Sequence, residues 1–348
     1  MKRWGVVVGV LALAAALAGV AHAANFKGQT IRVQFWGGGD RLAIQKHVVD
    51  PFVKETGATV VVEEGNTSAS IAKARAQKND PQLDVIFLDD IGVLTLAREG
   101  ILDKLDLSKM PHAKEIHPTY HVGDGSGIGL FNYIFTINYN DKVLAAPPKS
   151  WKEIWDPKYK GKVLLPPTTS TQTLLLTVMA AKLGGGGLDN LAPAWPMLQQ
   201  LKPNVHSVVQ NRALGAELLK SGEAVISLEI PYEYKVFIER DYPIAMTTDL
   251  EEGFFSITGS ACLVKGGKGN REVAYAFIDR ALTAEAQSGM AADRWYGPTN
   301  PNAKLSPRDQ RFMVHKPEQF VRTIAVDRLK LLDLRPGILE GWNKILAQ

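Results

Sequence analysis

Residues 31–100 alternate between two kinds of pattern, and few folds accept that alternation. Residues 31–35, 59–63 and 84–88 are short runs rich in β-branched and aromatic residues, as strands are. Between and after them, 40–56, 71–78 and 91–99 read as helices; the first carries Leu42, Val48, Val49, Phe52 and Val53 on one side. Asp40 stands where a helix N-cap would, and Gly57 and Gly100 stand where helices stop. A β-α-β-α-β order of this kind builds a parallel sheet covered by helices, an α/β fold. Ligands of such sheets sit beyond the carboxyl ends of the strands. Two polar segments fall there, 37–41 (GGGDR) and 65–70 (GNTSAS).

The same logic recurs at 163–183. Val163, Leu164 and Leu165 form an apolar run stopped by Pro166 and Pro167; Thr168, Thr169, Ser170 and Thr171 follow, and then Leu174, Leu175, Val178 and Ala181 at helical spacing. The first turn of a helix offers free N–H donors and a dipole that favours negative charge. Hydroxyls add donors and acceptors without adding charge. The four residues fit a solute grip, and they equally fit plain caps. Further strands are expected at 131–140, 224–229, 244–247 and 253–264, the first and last long enough to cross between two bodies. Helices are expected at 151–155, 192–201, 213–221, 271–283 and 320–347, with 106–129 irregular and 295–302 a turn-rich loop.

Lys2 and Arg3, the apolar stretch 6–20 and the small residues of Ala21-His22-Ala23 form an export signal, with cleavage expected after Ala23. The apolar run is shorter than the ~20 residues of a membrane span, and no cysteine follows it to carry a lipid. About 325 of the 348 residues would remain, enough for roughly two domains. Without Lys2 and Arg3 the formal charge of +4 falls to about +2, too balanced for a nucleic-acid partner. The single cysteine, Cys262, has no partner for an internal disulfide, so the exported chain must rely on its hydrophobic core.

Several segments stand in a telling order: Trp36 after the first strand, 52–57 (FVKETG), 98–102 (REGIL), Tyr139-Asn140, Ser150-Trp151, 155–161 (WDPKYKG), 221–224 (SGEA) and 296–300 (YGPTN). In this ordered set the chain resembles the periplasmic solute-binding proteins of ABC importers, of the spermidine/putrescine-binding type, with the ferric-iron-binding proteins as cousins. The resemblance implies a two-lobed α/β fold of the Venus-flytrap (type II) kind. Lobes joined by crossing strands close on a small-molecule solute, and the loaded form docks on a membrane permease. It implies lobe 1 from 24–135 plus 256–301 and lobe 2 from 136–255 plus 302–348. It also implies a periplasmic monomer with no catalytic residue, cofactor or resident metal.

Polyamine ligands need carboxylates facing their ammonium groups and aromatic walls around their methylenes. This chain departs from that pattern. Hydroxyls at 168–171 stand where the family carries acids. Ser256 and Thr258 stand where it carries a Trp and an Asp, and Ile230-Pro231 where it carries a wall Trp. The expected solute is therefore a small organic anion (a carboxylate, phosphonate or sulfonate), with or without an amine, held by glycine N–H groups, hydroxyls and an arginine fork. Gly38, Asp40, Arg41, Asn66 and Thr67 are expected on one wall, and Thr168, Thr169, Ser170, Thr171 and Arg212 on the other. Ser256 and Thr258 fall near the hinge, Trp36 and Tyr296 supply aromatic surface, and Glu229 and Tyr232 would meet an amine. A polyamine and ferric iron are the alternative ligands, the iron through Tyr232 and Tyr234.

Three other groupings are weaker. Cys262 would serve an enzyme built on the same two lobes, but Ala261, Leu263 and Val264 around it point to a buried, quiet thiol. His112, His117 and His121 could share a zinc only on a continuous helix, which Pro118 interrupts, so they read as loop histidines. Residues 123–129 (GDGSGIG) lack the strand–loop–helix setting of a dinucleotide site and read as a flexible approach to the crossing strand.

Overall fold

The computed structural model describes residues 25–315, 319 and 321–347. The segment expected to be the export signal lies outside the described residues. Among them, no helix is long and apolar enough to cross a membrane.

The chain begins as its alternation requires. β1 (Thr30–Phe35) pairs in parallel with β2 (Thr59–Glu64) on one side and β3 (Val85–Asp89) on the other. α1 (Gly39–Ile44), a π-helical stretch over Gln45–Val49 and α2 (Asp50–Thr56) connect β1 to β2. Gly57, at φ 71°, ends α2 in the left-handed region that glycine enters without strain. α3 (Thr67–Ala76) leads to β3, and α4 (Asp90–Arg98) leaves it. Residues 106–120, expected to be irregular, wind into three short 3-10 turns before β4 (His121–Val122) and β5 (Gly127–Phe135).

The crossing strand expected over 131–140 breaks at Thr136, whose hydroxyl donates to the carbonyl of Thr247. Beyond the break, β6 (Ile137–Asn140) starts a second sheet with β7 (Val163–Leu165), β8 (Val205–Val208), β9 (Ile226–Ser227) and β10 (Ile244–Thr247), in the order β10-β6-β9-β7-β8. Its helices are α5 (Thr171–Leu183), α6 (Ala194–Leu201), α7 (Arg212–Ser221) and the short α8 (Lys235–Ile238). β11 (Phe255–Leu263) then returns to the first sheet, between β3 and β5 and antiparallel to both. α9 (Arg271–Leu282), α10 (Ala284–Arg294) and β12 (Gly297–Pro298) complete that lobe.

The last helix, α11 (Arg328–Ala347), starts later than its pattern predicts, because residues 321–327 are not helical. It packs Leu331, Ile338, Trp342 and Ile345 into the core of the second lobe, beside Trp151 and Leu174. It also reaches the first lobe, where Arg328 Nε lies 3.0 Å from Asp90 Oδ2 and Arg98 pairs with Asp333. Covered in this way, α5 is buried from Thr171 through Ala181, so its sequence is apolar on all sides rather than on one stripe. Its buried Thr177 is satisfied on both counts: Oγ1 donates to the Thr173 carbonyl at 2.9 Å and accepts from Trp342 Nε1 at 2.8 Å. Trp342→Ala should therefore destabilise the second lobe by about 3–5 kcal/mol. Trp342→Phe, which keeps most of the apolar bulk and loses one hydrogen bond, should cost only about 1 kcal/mol. Urea denaturation of both variants checks the ordering.

Candidate functional site

Five strand ends converge on one place. Trp36 follows the carboxyl end of β1, and its indole N–H donates to Thr67 Oγ1 at 3.2 Å. Beyond β2, the Asn66 side chain caps α3 by accepting from Ala69 N at 2.9 Å. β3 ends on Asp89, which caps α4 through Gly92 N at 2.8 Å. Beyond β7, Ser170 caps α5, and beyond β9 lies Glu229. Between them is a cavity of about 350 Å³. Trp36, Asn66, Thr67, Ser68, Asp89 and Tyr133 line it from the first lobe; Pro167, Thr169, Ser170, Thr171, Gln172, Val209, Gln210, Glu229, Ile230 and Tyr232 from the second; and Arg335 from α11.

Two buried carboxylates dominate its electrostatics. Asp89 accepts a hydrogen bond from Thr171 Oγ1 at 3.0 Å, a contact that joins the two lobes. Its pKa is pushed up to about 6, first by burial and then by repulsion from Asp90, against the pull of the Gly92 N–H, Thr171 and Arg335. Glu229 Oε1 accepts from Gln172 Nε2 at 3.0 Å and from the Ile230 N–H at 2.9 Å. Burial also holds the Tyr133 and Tyr232 phenols well above their ordinary pKa, so both remain hydroxyl donors. Arg335 Nη2 donates to the Thr169 carbonyl at 3.0 Å. The cavity thus combines acids, aromatic faces, hydroxyls, two helix starts and one guanidinium.

Trp36, Asn66, Thr67, Thr169, Ser170, Thr171, Glu229 and Tyr232 gather here as the sequence suggests. Several other expected residues do not. Asp40 is no N-cap: Gly38, at φ 66°, holds that position, and Asp40 turns inward to Arg294 Nε at 2.7 Å. Arg41 donates to Gln45 Oε1 at 2.5 Å and lies 3.5 Å from Glu64, which draws it away from the cavity. Thr168 sits outside the lining, and so do Ser256 and Thr258 on β11; the Ser256 carbonyl instead accepts from Arg328. Tyr296 is buried behind the wall, stacked on Phe131 with centroids 3.8 Å apart. The side chain of Arg212 lies outside the described residues.

Sequence reasoning misses Asp89, Tyr133, Gln172 and Arg335. Asp89 carried a usable signal, an acid at the carboxyl end of the third strand. Arg335 carried none, because only the packing of α11 brings it to the cleft. The acids absent at 168–171 are therefore partly supplied from a different strand.

The remaining groupings separate. Tyr234 turns into the second lobe, its hydroxyl 2.7 Å from Ser227 Oγ, and shares no face with Tyr232 in the cavity. His112 pairs with Asp279 at 2.8 Å, His117 Nδ1 accepts from Thr119 N, and His121 lies in β4. No group of three or more His, Cys, Asp or Glu that could hold a metal occurs among the described residues. Cys262 is fully buried in β11, and burial pushes its thiol far above the ordinary range, as a quiet strand residue requires. A larger surface hollow of about 530 Å³ between 77–83 and 264–268 has no aromatic lining, and its one carboxylate, Asp80, pairs with Lys268 at 2.6 Å.

Among known proteins, residues 47–313 match the family model of the bacterial extracellular solute-binding proteins. This chain belongs to that family. It is a substrate-binding protein of an ABC transporter, and the family and its relatives are solute-binding proteins, not enzymes. The spermidine/putrescine-binding periplasmic protein of Escherichia coli is 25% identical over 275 residues, 75% of this chain and 76% of its own. The gamma-aminobutyric acid-binding protein of Pseudomonas aeruginosa is 26% identical over 195 residues, 53% of this chain and 54% of its own. An ABC transporter structure from Clostridium perfringens superposes with a TM-score of 0.76 at 26% identity, covering 90% of this chain and 99% of that one. The structure of the Atu4243–GABA receptor, 22% identical with a TM-score of 0.76, shares the fold.

In this solute-binding protein the elevated pKa of Asp89 has a stability consequence. A carboxylate whose folded pKa lies above its unfolded value is a burden when ionised, so the cost is full above about pH 6 and is relieved as pH falls toward 4. Asp89→Asn should therefore stabilise the empty protein by about 2–3 kcal/mol at pH 7 and by little at pH 4. Thermal denaturation at the two pH values reads the difference.

Proposed function

We propose that this receptor captures a small organic ion that carries both a carboxylate and an amine, and delivers it to its permease. The supporting observation is the pairing of opposite chemistries in one small cavity. Asp89 and Glu229 offer negative charge for an ammonium group, and Trp36, Tyr133 and Tyr232 offer aromatic faces for it. The starts of α3 and α5 and the Arg335 guanidinium offer donors for a carboxylate. The GABA-binding relative is consistent with such a zwitterion. In this reading the chain acts as a periplasmic monomer, cut after Ala23, whose lobes divide at the Thr136 and Phe255 crossings.

A diamine is the second reading, favoured by the two carboxylates in one cavity and by the spermidine/putrescine-binding relative. Arg335 weighs against it, since a second ammonium group would meet a guanidinium. A wholly anionic solute is disfavoured by Asp89 and Glu229.

Thermal-shift titration separates these. 4-Aminobutanoate should raise the melting temperature by roughly 5 °C at a hundredfold excess over its dissociation constant; butanoate and putrescine should do much less. A shift with putrescine and none with 4-aminobutanoate would sink the zwitterion reading. The affinity for 4-aminobutanoate should also weaken as pH drops below about 6, by up to about tenfold per pH unit, because Asp89 gains a proton while the amine keeps its own.

A further inference from the structure

The segment after β9 belongs to the second lobe and packs against the first. Tyr234 anchors it in the second, packed with Leu164, Ala216 and Ile244. Its neighbours turn the other way. The Tyr232 ring meets Tyr296 and Tyr133 edge-on, with centroids 4.9 and 5.4 Å apart. Lys235 Nζ lies 4.8 Å from the Trp295 ring centroid. Between them, Glu233 Oε2 lies 3.4 Å from Arg294 Nη2.

Arg294 is the last residue of α10 and belongs to the first lobe, where its Nε holds Asp40 Oδ1 at 2.7 Å. The three charged side chains are each no more than 10% exposed. The guanidinium also lies 4.8 Å from the Tyr232 ring centroid. Gly39 gives it room, since a Cβ there would stand 2.6 Å from Arg294 Nη1. None of the three charged residues lines the solute cavity.

We propose that Asp40, Arg294 and Glu233 form a latch that favours the closed arrangement of the lobes whatever the solute, with Glu233 as the member that leaves on opening. The two-to-one charge arrangement is what makes such a latch reversible. A lone Glu233–Arg294 pair would leave a buried guanidinium unpaired when the lobes part, which is strongly unfavourable. Asp40 stays with Arg294 on the same lobe, so of these three charged groups opening parts only Glu233 from the cluster, and it hydrates. The apparent affinity of a flytrap receptor scales with the fraction of molecules that are closed. The latch therefore acts on all solutes by a common factor, whereas Asp89 and Arg335 discriminate among them.

Small-angle X-ray scattering of the solute-free chain from Ala24 tests this without a ligand. The wild type should scatter as a mixture of open and closed forms. Glu233→Gln, nearly isosteric but uncharged, should shift to a larger radius of gyration while still melting cooperatively. Arg294→Lys, which keeps the charge and loses the fork, should shift less. Titrations with 4-aminobutanoate and putrescine add a second readout: for each probe that binds, Glu233→Gln should raise the dissociation constant by the same factor, roughly tenfold. Superimposable scattering for wild type and Glu233→Gln would overturn the latch. So would a loss confined to one of two binding probes, which would make Glu233 part of the solute site. If neither probe binds, scattering alone decides the latch, and only the proposed solute class falls.

Discussion

The cleft is organised by the burial of one carboxylate. Asp89 ends a fully buried strand, caps the helix that follows, and accepts a hydroxyl from the opposite lobe. Few positions impose so many demands on one side chain. Capping favours the charged form and burial opposes it, and burial prevails. The cavity therefore holds a carboxylate short of positive charge, with aromatic faces beside it. The same desolvation that burdens the empty fold makes the site responsive to a cation, because an arriving ammonium group restores what water no longer supplies.

Around that centre, two kinds of charge do different work. Asp89, Glu229 and Arg335 face the cavity and read the chemistry of what enters. Asp40, Arg294 and Glu233 lie behind it, buried and bonded to one another. Residues that look alike in sequence are thus split between recognition and lobe contact by a few ångströms of packing. α11 couples the two sets, since it fills the second lobe's core, pairs with Asp90 and Arg98 of the first, and brings Arg335 to the rim.

Much of the fold was legible in the chain. β1, β2 and β3 with their intervening helices follow from period-two and helical patterning, and β10 falls where its residues predict. The errors have local causes. The strand through 131–140 breaks at Thr136 because its antiparallel partner changes there from β11 to β10. The final helix starts eight residues late, since its apolar pattern continues through a segment without helical conformation. At the site, half of the expected residues line the cavity, and these are mostly the ones at strand ends and helix caps. Asp40, Arg41 and Tyr296 lie beside such ends too, but partners distant in sequence or on a neighbouring strand redirect them.

By itself, then, the sequence determined the α/β alternation, the strand ends where a solute would sit, and the hydroxyl-rich start of α5. Those features depend on neighbours within a few residues, through backbone hydrogen bonding and side-chain periodicity. The charge character of the cleft was decided only by tertiary structure. Asp40 meets Arg294 across 254 positions, and Asp89 meets Thr171 across 82. Which acids face the cavity and which are consumed in ion pairs depends on how the lobes close and α11 packs, and no local pattern encodes that.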